Sequence, residues 1–187
     1  PSLTSAIAAS SNGDTIFIAA GSYASASPII IDKSLTIAPQ DSSEMIDFYG
    51  SGGANNIDIN VNGSAGMNVR LFNLKFNTLN LNGATNMSIQ VSSLNVNGIS
   101  LTGAADMNLI INHVTCGSGI TMNGAANMNI QLSQSSFQGN MGITGYNGMH
   151  MILNSITCNG SITLSGAENM KMQLNNLNCT GSMSANA

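Results

Sequence analysis

The chain has 187 residues and a net charge of −4 from four basic and eight acidic side chains, with only 6% of its residues charged and 4% aromatic. That length suits one domain with a sizeable core, and the scarcity of cations excludes a basic patch for phosphate backbones or anionic lipid, so neither nucleic acid nor a membrane surface is an expected partner. No apolar run of about 18 residues is present to span a bilayer, and 27 asparagines without a single tryptophan depart from ordinary globular composition.

In chain order, residues 2–10, SLTSAIAAS, predict a short helix with Leu3 and Ile7 on one side, ended by Asn12-Gly13. Strand-like segments follow at 15–19, 29–31 and 35–37, and residues 40–56 read as a loop anchored by Met45, Ile46, Phe48 and Tyr49. From residue 63 the chain becomes periodic. Gly63, Gly83, Gly103, Gly124, Gly145 and Gly166 recur every 20 or 21 residues, and four residues after each comes Met67, Met87, Met107, Met128, Met149 or Met170.

Within each repeat the apolar residues alternate in short runs, as in Met87, Ile89 and Val91, then Leu94 and Val96, then Ile99 and Leu101. A later repeat carries Met128, Ile130, Leu132, Ser135, Phe137, Met141 and Ile143 at the same places. Period two predicts strands. Such short strands cannot bury their apolar face alone, but stacked copies spaced about 4.8 Å apart can. The expected fold is therefore all-β: a parallel β-solenoid with three short strands per 20–21-residue coil and these side chains pointing inward.

The chain divides into a capping segment over 1–14, irregular first coils over 15–62 and six regular coils over 63–187, all within a single domain of about eight coils. The extra residue of the later repeats falls in a turn, where Asn77-Thr78 and Asn97-Gly98 give way to three-residue turns such as Gly117-Ser118-Gly119, so the inward columns stay in register. The corners read Gly-Ala-x-Asn or Gly-Ala-x-Asp in four repeats, and glycine and asparagine both tolerate the positive φ of a sharp corner.

The stretch SLTSAIAASSNGDTIFIAAGSY, with KSLTI at 33–37, resembles the opening of pectin-lyase-like right-handed parallel β-helices. The resemblance covers roughly residues 2–38 and implies a helix capping a solenoid whose first coil is the GDTI…GxY stretch. Right-handedness is also the rule for parallel crossovers. Many members of that family cleave acidic polysaccharides with clustered aspartates, calcium and a basic residue, or with an aspartate trio. Carboxylates must converge for such chemistry.

In the regular repeats only Asp106 and Glu168 are acidic, and they lie three coils apart. Asp41, Glu44 and Asp47 share the 40–56 segment, which is expected to be a solvated loop. His113 in a turn and His150 on an outward strand position occupy different columns and predict no shared metal. Cys116, Cys158 and Cys179 fall in one inward column with Phe76, Val96 and Phe137 and read as buried free thiols, and the methionine column reads as core. No catalytic residue, metal or cofactor is expected, so the sequence does not predict an enzyme.

The outward columns of the third strand form the candidate interaction face: Asn60 and Asn62, Asn80 and Asn82, Ser100 and Thr102, Thr121 and Asn123, Thr144, then Thr163 and Ser165. This is a flat amide-and-hydroxyl surface without charges or aromatic rings. The candidate assembly end combines Met170, Met172, Leu174, Leu177 and Met183 of the last repeat with Leu3 and Ile7 of the helix. An uncovered coil exposes unpaired backbone and apolar side chains. The expected partner is a second copy, stacked head-to-tail or laterally, or the remainder of a longer chain. The functional expectation is a non-catalytic structural or adhesive solenoid, extracellular or on a particle surface. A glycan-binding or glycan-cleaving module is the alternative, and an ice-binding face is a further one.

Overall fold

The computed structural model describes residues 2–50, 57–166 and 168–186. It is a parallel β-solenoid of eight coils preceded by one helix, Leu3–Ala9. The helix is shorter than the sequence predicts. Ser2 caps it by accepting the Ser5 N–H at 3.1 Å, and Ser10, not Asn12-Gly13, ends it, donating its Oγ–H to Ile7 O at 2.8 Å.

Each coil carries three strands, and every strand pairs in parallel with its copy in the next coil. The third strands stack from Ile29–Ile31 through Ile59–Asn62, Thr78–Asn82, Gly98–Thr102, Ile120–Asn123, Met141–Thr144 and Ile162–Ser165 to Met183–Asn186. This eight-stranded sheet has no crossings, and its register is strict: Asn60 opposes Asn80, which opposes Ser100, then Thr121, Gly142, Thr163 and Ser184. The first and second strands together form a thirteen-stranded sheet. They are separate in the early coils, as Ser88–Ser92 and Asn95–Val96, and fused in the late ones, as Asn129–Phe137, His150–Cys158 and Lys171–Cys179.

The bend between first and second strands has a definite cause. Asn73, Ser93, His113, Gln134, Ser155 and Asn176 form one column, and each takes φ between 48° and 56°. One left-handed residue in each of the last six coils turns the ribbon without an intervening loop. The second left-handed column lies in the glycine corner but not at the repeated glycine: it is Gly66, Asn86, Asp106, Asn127, Gly148 and Asn169. Backbone bonds such as Met87 N to Ala84 O, 3.1 Å, and Met149 N to Tyr146 O, 3.1 Å, close these corners as tight turns with the positive φ at their third residue.

The repeated glycine serves packing instead. A Cβ on Gly83 would lie 2.5 Å from Met107 Sδ, and on Gly63 or Gly103 2.6 Å from the sulfur of Met87 or Met128. From Gly63 to Gly145 each repeated glycine therefore makes room for the methionine of the following coil, which explains why the two recur together.

The core runs the length of the stack. Val69, Ile89, Leu109, Ile130 and Met151 are fully buried in one column, and Met67, Met87, Met107, Met128 and Met149 in another. Burying each such side chain stabilises the fold by roughly 1.5–3 kcal/mol. Ser135, the one buried polar residue among the described residues, has its Oγ accepting from Val114 N at 3.0 Å and donating to Ser133 O at 2.7 Å.

Several expectations need correction. The segment 40–56 is not all loop, because Ile46–Gly50 is a strand with Ile46 and Phe48 buried; residues 51–56 lie outside the described residues. Its partner, Gly21–Ser25, is a strand the alternation does not reveal. The 15–19 and 35–37 segments are Asp14–Ile18 and Leu35–Pro39, and Thr78 and Gly98 open strands instead of completing turns. Cys179, expected to be buried, is only half-buried.

Candidate functional site

The third-strand sheet places the predicted interaction residues side by side on its outer surface. Asn62, Asn82, Ser100, Thr102, Thr121, Asn123, Thr144 and Thr163 are exposed, and Asn60, Asn80 and Ser165 are half-buried by their neighbours. Three pairs of neighbouring rungs bond to one another. Asn80 Nδ2 donates to Asn60 Oδ1 at 2.8 Å, Asn82 Nδ2 to Asn62 Oδ1 at 3.1 Å, and Ser165 Oγ to Thr144 Oγ1 at 3.5 Å. Each amide used this way is held in one orientation, so the asparagine end of this neutral face is preorganised.

Amide ladders also run along the corners. Asn97 Nδ2 donates to Asn77 Oδ1, whose own Nδ2 reaches Asp58 Oδ1, at 3.1 and 2.8 Å. Asn127 donates to Asp106 at 3.2 Å, and Asn129 to Asn108 at 2.9 Å. These ladders were not singled out in the sequence. The signal that could have found them is asparagine recurring at the 20–21-residue period outside the inward columns.

At the last coil the predicted assembly residues come together on one edge. Met170, Met172 and Leu177 are half-buried, while Leu174 and Met183 are 36% and 48% exposed. The strands Lys171–Cys179 and Met183–Asn186 each pair on one side only among the described residues. Ile7 is buried in the core and Leu3 packs against it, at the opposite end of the stack. Beside the helix opens a cavity of about 260 Å³ lined by Leu3, Ala6, Ile16, Ile18 and Tyr23, and Phe17 at its edge is 67% exposed.

The acidic residues are dispersed. Asp47 lies on the strand Ile46–Gly50, where its Oδ2 takes Lys75 Nζ at 2.6 Å, so it does not share a loop with Asp41 and Glu44. Asp41 accepts from Ser43 N at 3.0 Å and Ser43 Oγ at 2.8 Å, and those bonds, the backbone one foremost, hold its carboxyl below the usual range. Among the described residues no three His, Cys, Asp or Glu side chains gather as a metal site. His113 turns a corner and His150 is exposed on a strand. Burial pushes the Cys116 thiol up, and Cys116, Cys158 and Cys179 direct their sulfurs to backbone carbonyls of the turns, at 3.2 Å from Asn97 O, 3.1 Å from Gly139 O and 2.9 Å from Gly160 O. Comparison of the chain with protein-family models, with curated proteins and with solved structures finds no match.

Proposed function

We propose that the chain is a non-catalytic structural or adhesive β-solenoid that presents its third face as a rigid, neutral contact surface and associates through that face or through its last coil. The observation that carries this reading is the uninterrupted eight-stranded third sheet, whose outward columns hold amides and hydroxyls, three pairs of them bonded from one rung to the next. A preordered surface loses little side-chain entropy on contact. The edge of the last coil, with Leu174 and Met183 exposed beside unpaired strand backbone, supports association with another strand-bearing surface, a second copy or further chain. Light scattering over a wide concentration range tests it. Particle mass should grow with concentration, and a monomer throughout would remove the association.

A second reading, a polysaccharide-binding or polysaccharide-cleaving module of the pectin-lyase type, draws on the resemblance of residues 2–38. Binding to a polysaccharide array, with and without calcium, would favour it, and its absence on acidic and neutral glycans alike would retire it.

A further inference from the structure

Seven Asn-Gly pairs occur in the chain. In this dipeptide the missing Cβ lets the glycine nitrogen approach the asparagine side chain. The reaction it permits needs only water and base. The glycine nitrogen loses its proton to hydroxide and attacks Cγ, the N–Cγ bond forms, and the Cγ–Nδ2 bond breaks as water protonates the departing nitrogen to ammonia and regenerates hydroxide. One water then opens the resulting succinimide at either carbonyl, leaving aspartate or isoaspartate. No electrons are gained or lost.

The solenoid treats the seven pairs unequally. In five, the attacking nitrogen is tied to the next or previous coil. Gly13 N–H donates to Ser34 O at 2.8 Å, Gly63 to Asn82 O at 2.8 Å, Gly83 to Thr102 O at 2.7 Å, Gly98 to Asn77 O at 3.3 Å and Gly124 to Thr144 O at 2.8 Å. Deprotonating or turning such a nitrogen breaks a stacking bond. Gly148 and Gly160 have no acceptor for their N–H among the described residues. At Gly160 the contrast with the next coil is direct: Gly181, at the same turn position, donates one coil back to Gly160 O at 3.1 Å, whereas Gly160 makes no such bond to Gly139 O. Asn147 and Asn159 are both exposed.

We propose that Asn147 and Asn159 are modification sites at which the folded protein converts to aspartate and isoaspartate, while cross-coil hydrogen bonds shield the other five Asn-Gly pairs. The two conversions have different consequences. Asn159 Nδ2 donates to Gln138 Oε1 at 2.6 Å, so a carboxylate there sets oxygen against oxygen and deletes a rung. Asn147 only accepts, its Oδ1 taking Asn169 Nδ2 at 3.3 Å, and a carboxylate keeps that bond.

The experiment is peptide mapping of the full chain by mass spectrometry, with enzymatic detection of isoaspartate, after incubation in mildly alkaline buffer with and without urea. In the folded protein Asn147 and Asn159 should convert about tenfold faster than the other five, the factor expected of one hydrogen bond held or missing, and in urea the seven rates should converge. Uniform rates in the folded protein, a lead by any of the other five, or no conversion at Asn147 and Asn159 while the urea sample converts would each overturn the proposal. A second measurement separates the two sites: Asn159→Asp should lower the thermal midpoint and Asn147→Asp should leave it unchanged, and the reverse order would overturn the rung assignment.

Discussion

The seventh and eighth coils have closely similar inward sequences and opposite environments. Met151, Leu153, Ile156, Cys158, Ile162 and Leu164 are completely buried. Their register partners, Met172, Leu174, Leu177, Cys179, Met183 and Ala185, are half-buried or exposed. The alternating pattern decides which way a side chain points, whereas burial comes from having a coil on both sides. Stability in such a stack is therefore a sum of neighbour contacts, and identical substitutions should cost different amounts at different coils.

The largest expected effect tests that directly. Ile130→Ala, in the middle of the stack, should cost about 2–5 kcal/mol in chemical denaturation, while Leu174→Ala on the last coil should cost about 1 kcal/mol or less. Gln131→Ala, one residue away on the outer surface, should cost under about 0.5 kcal/mol. Equal losses at Ile130 and Leu174 would mean that something covers the last coil in solution, which would itself sharpen the case for association.

A second contrast concerns the glycine corner. Gly83→Ala brings a methyl group against Met107 Sδ and against Ala104 N and Thr102 O, both 3.2 Å from the new carbon, and should cost about 1–3 kcal/mol. Met107→Ala opens a cavity at the same place, so the double variant should be more stable than the sum of the two by about 1 kcal/mol. Strict additivity would show that the glycine is there for backbone reasons and not to seat the sulfur.

What the sequence made legible follows the same division between direction and environment. The inward columns, the stacking and the outward third face could all be read because period two and the 20–21-residue repeat are properties of the chain itself. The strand Gly21–Ser25 could not, since Tyr23 is its only large inward side chain and it gains strand character by pairing with Ile46–Gly50, where Tyr23 stacks 6.0 Å from Phe48. The bend at Asn73, Ser93, His113, Gln134, Ser155 and Asn176 was equally hidden. No one residue type marks that column, because the constraint is a backbone angle imposed by the two flanking strands. The corner glycines are legible as corners, but their packing task is not, since the methionine they accommodate belongs to the following coil.

The comparison of inner and outer coils extends to the thiols. Cys116 and Cys158 are buried and Cys179 is half-buried, and the reactive species is the thiolate. Iodoacetamide under native conditions should modify Cys179 first, with Cys116 and Cys158 reacting only on unfolding. At Cys116 the raised folded pKa favours the neutral thiol, so the stability it contributes is complete below the unfolded value of 9.0 and declines as pH rises above it. Early labelling of Cys158 would show that the eighth coil opens as a unit.

The smallest effect lies in the irregular coils, at Asp41. Hydrogen bonds from Ser43 lower its folded pKa below 3.8, so its contribution to stability is present above that value and is lost as pH falls through the folded pKa. Because the carboxyl is exposed, the loss should be confined to the segment around Ser43 and leave the stack intact. Carboxyl chemical shifts followed against pH should place Asp41 below an ordinary aspartate. Ser43→Ala should move it only part of the way back, because the larger contribution comes from the Ser43 backbone N–H, which that substitution retains. A complete return to the ordinary value would mean that the hydroxyl, by orienting the turn, holds the backbone donor in place as well.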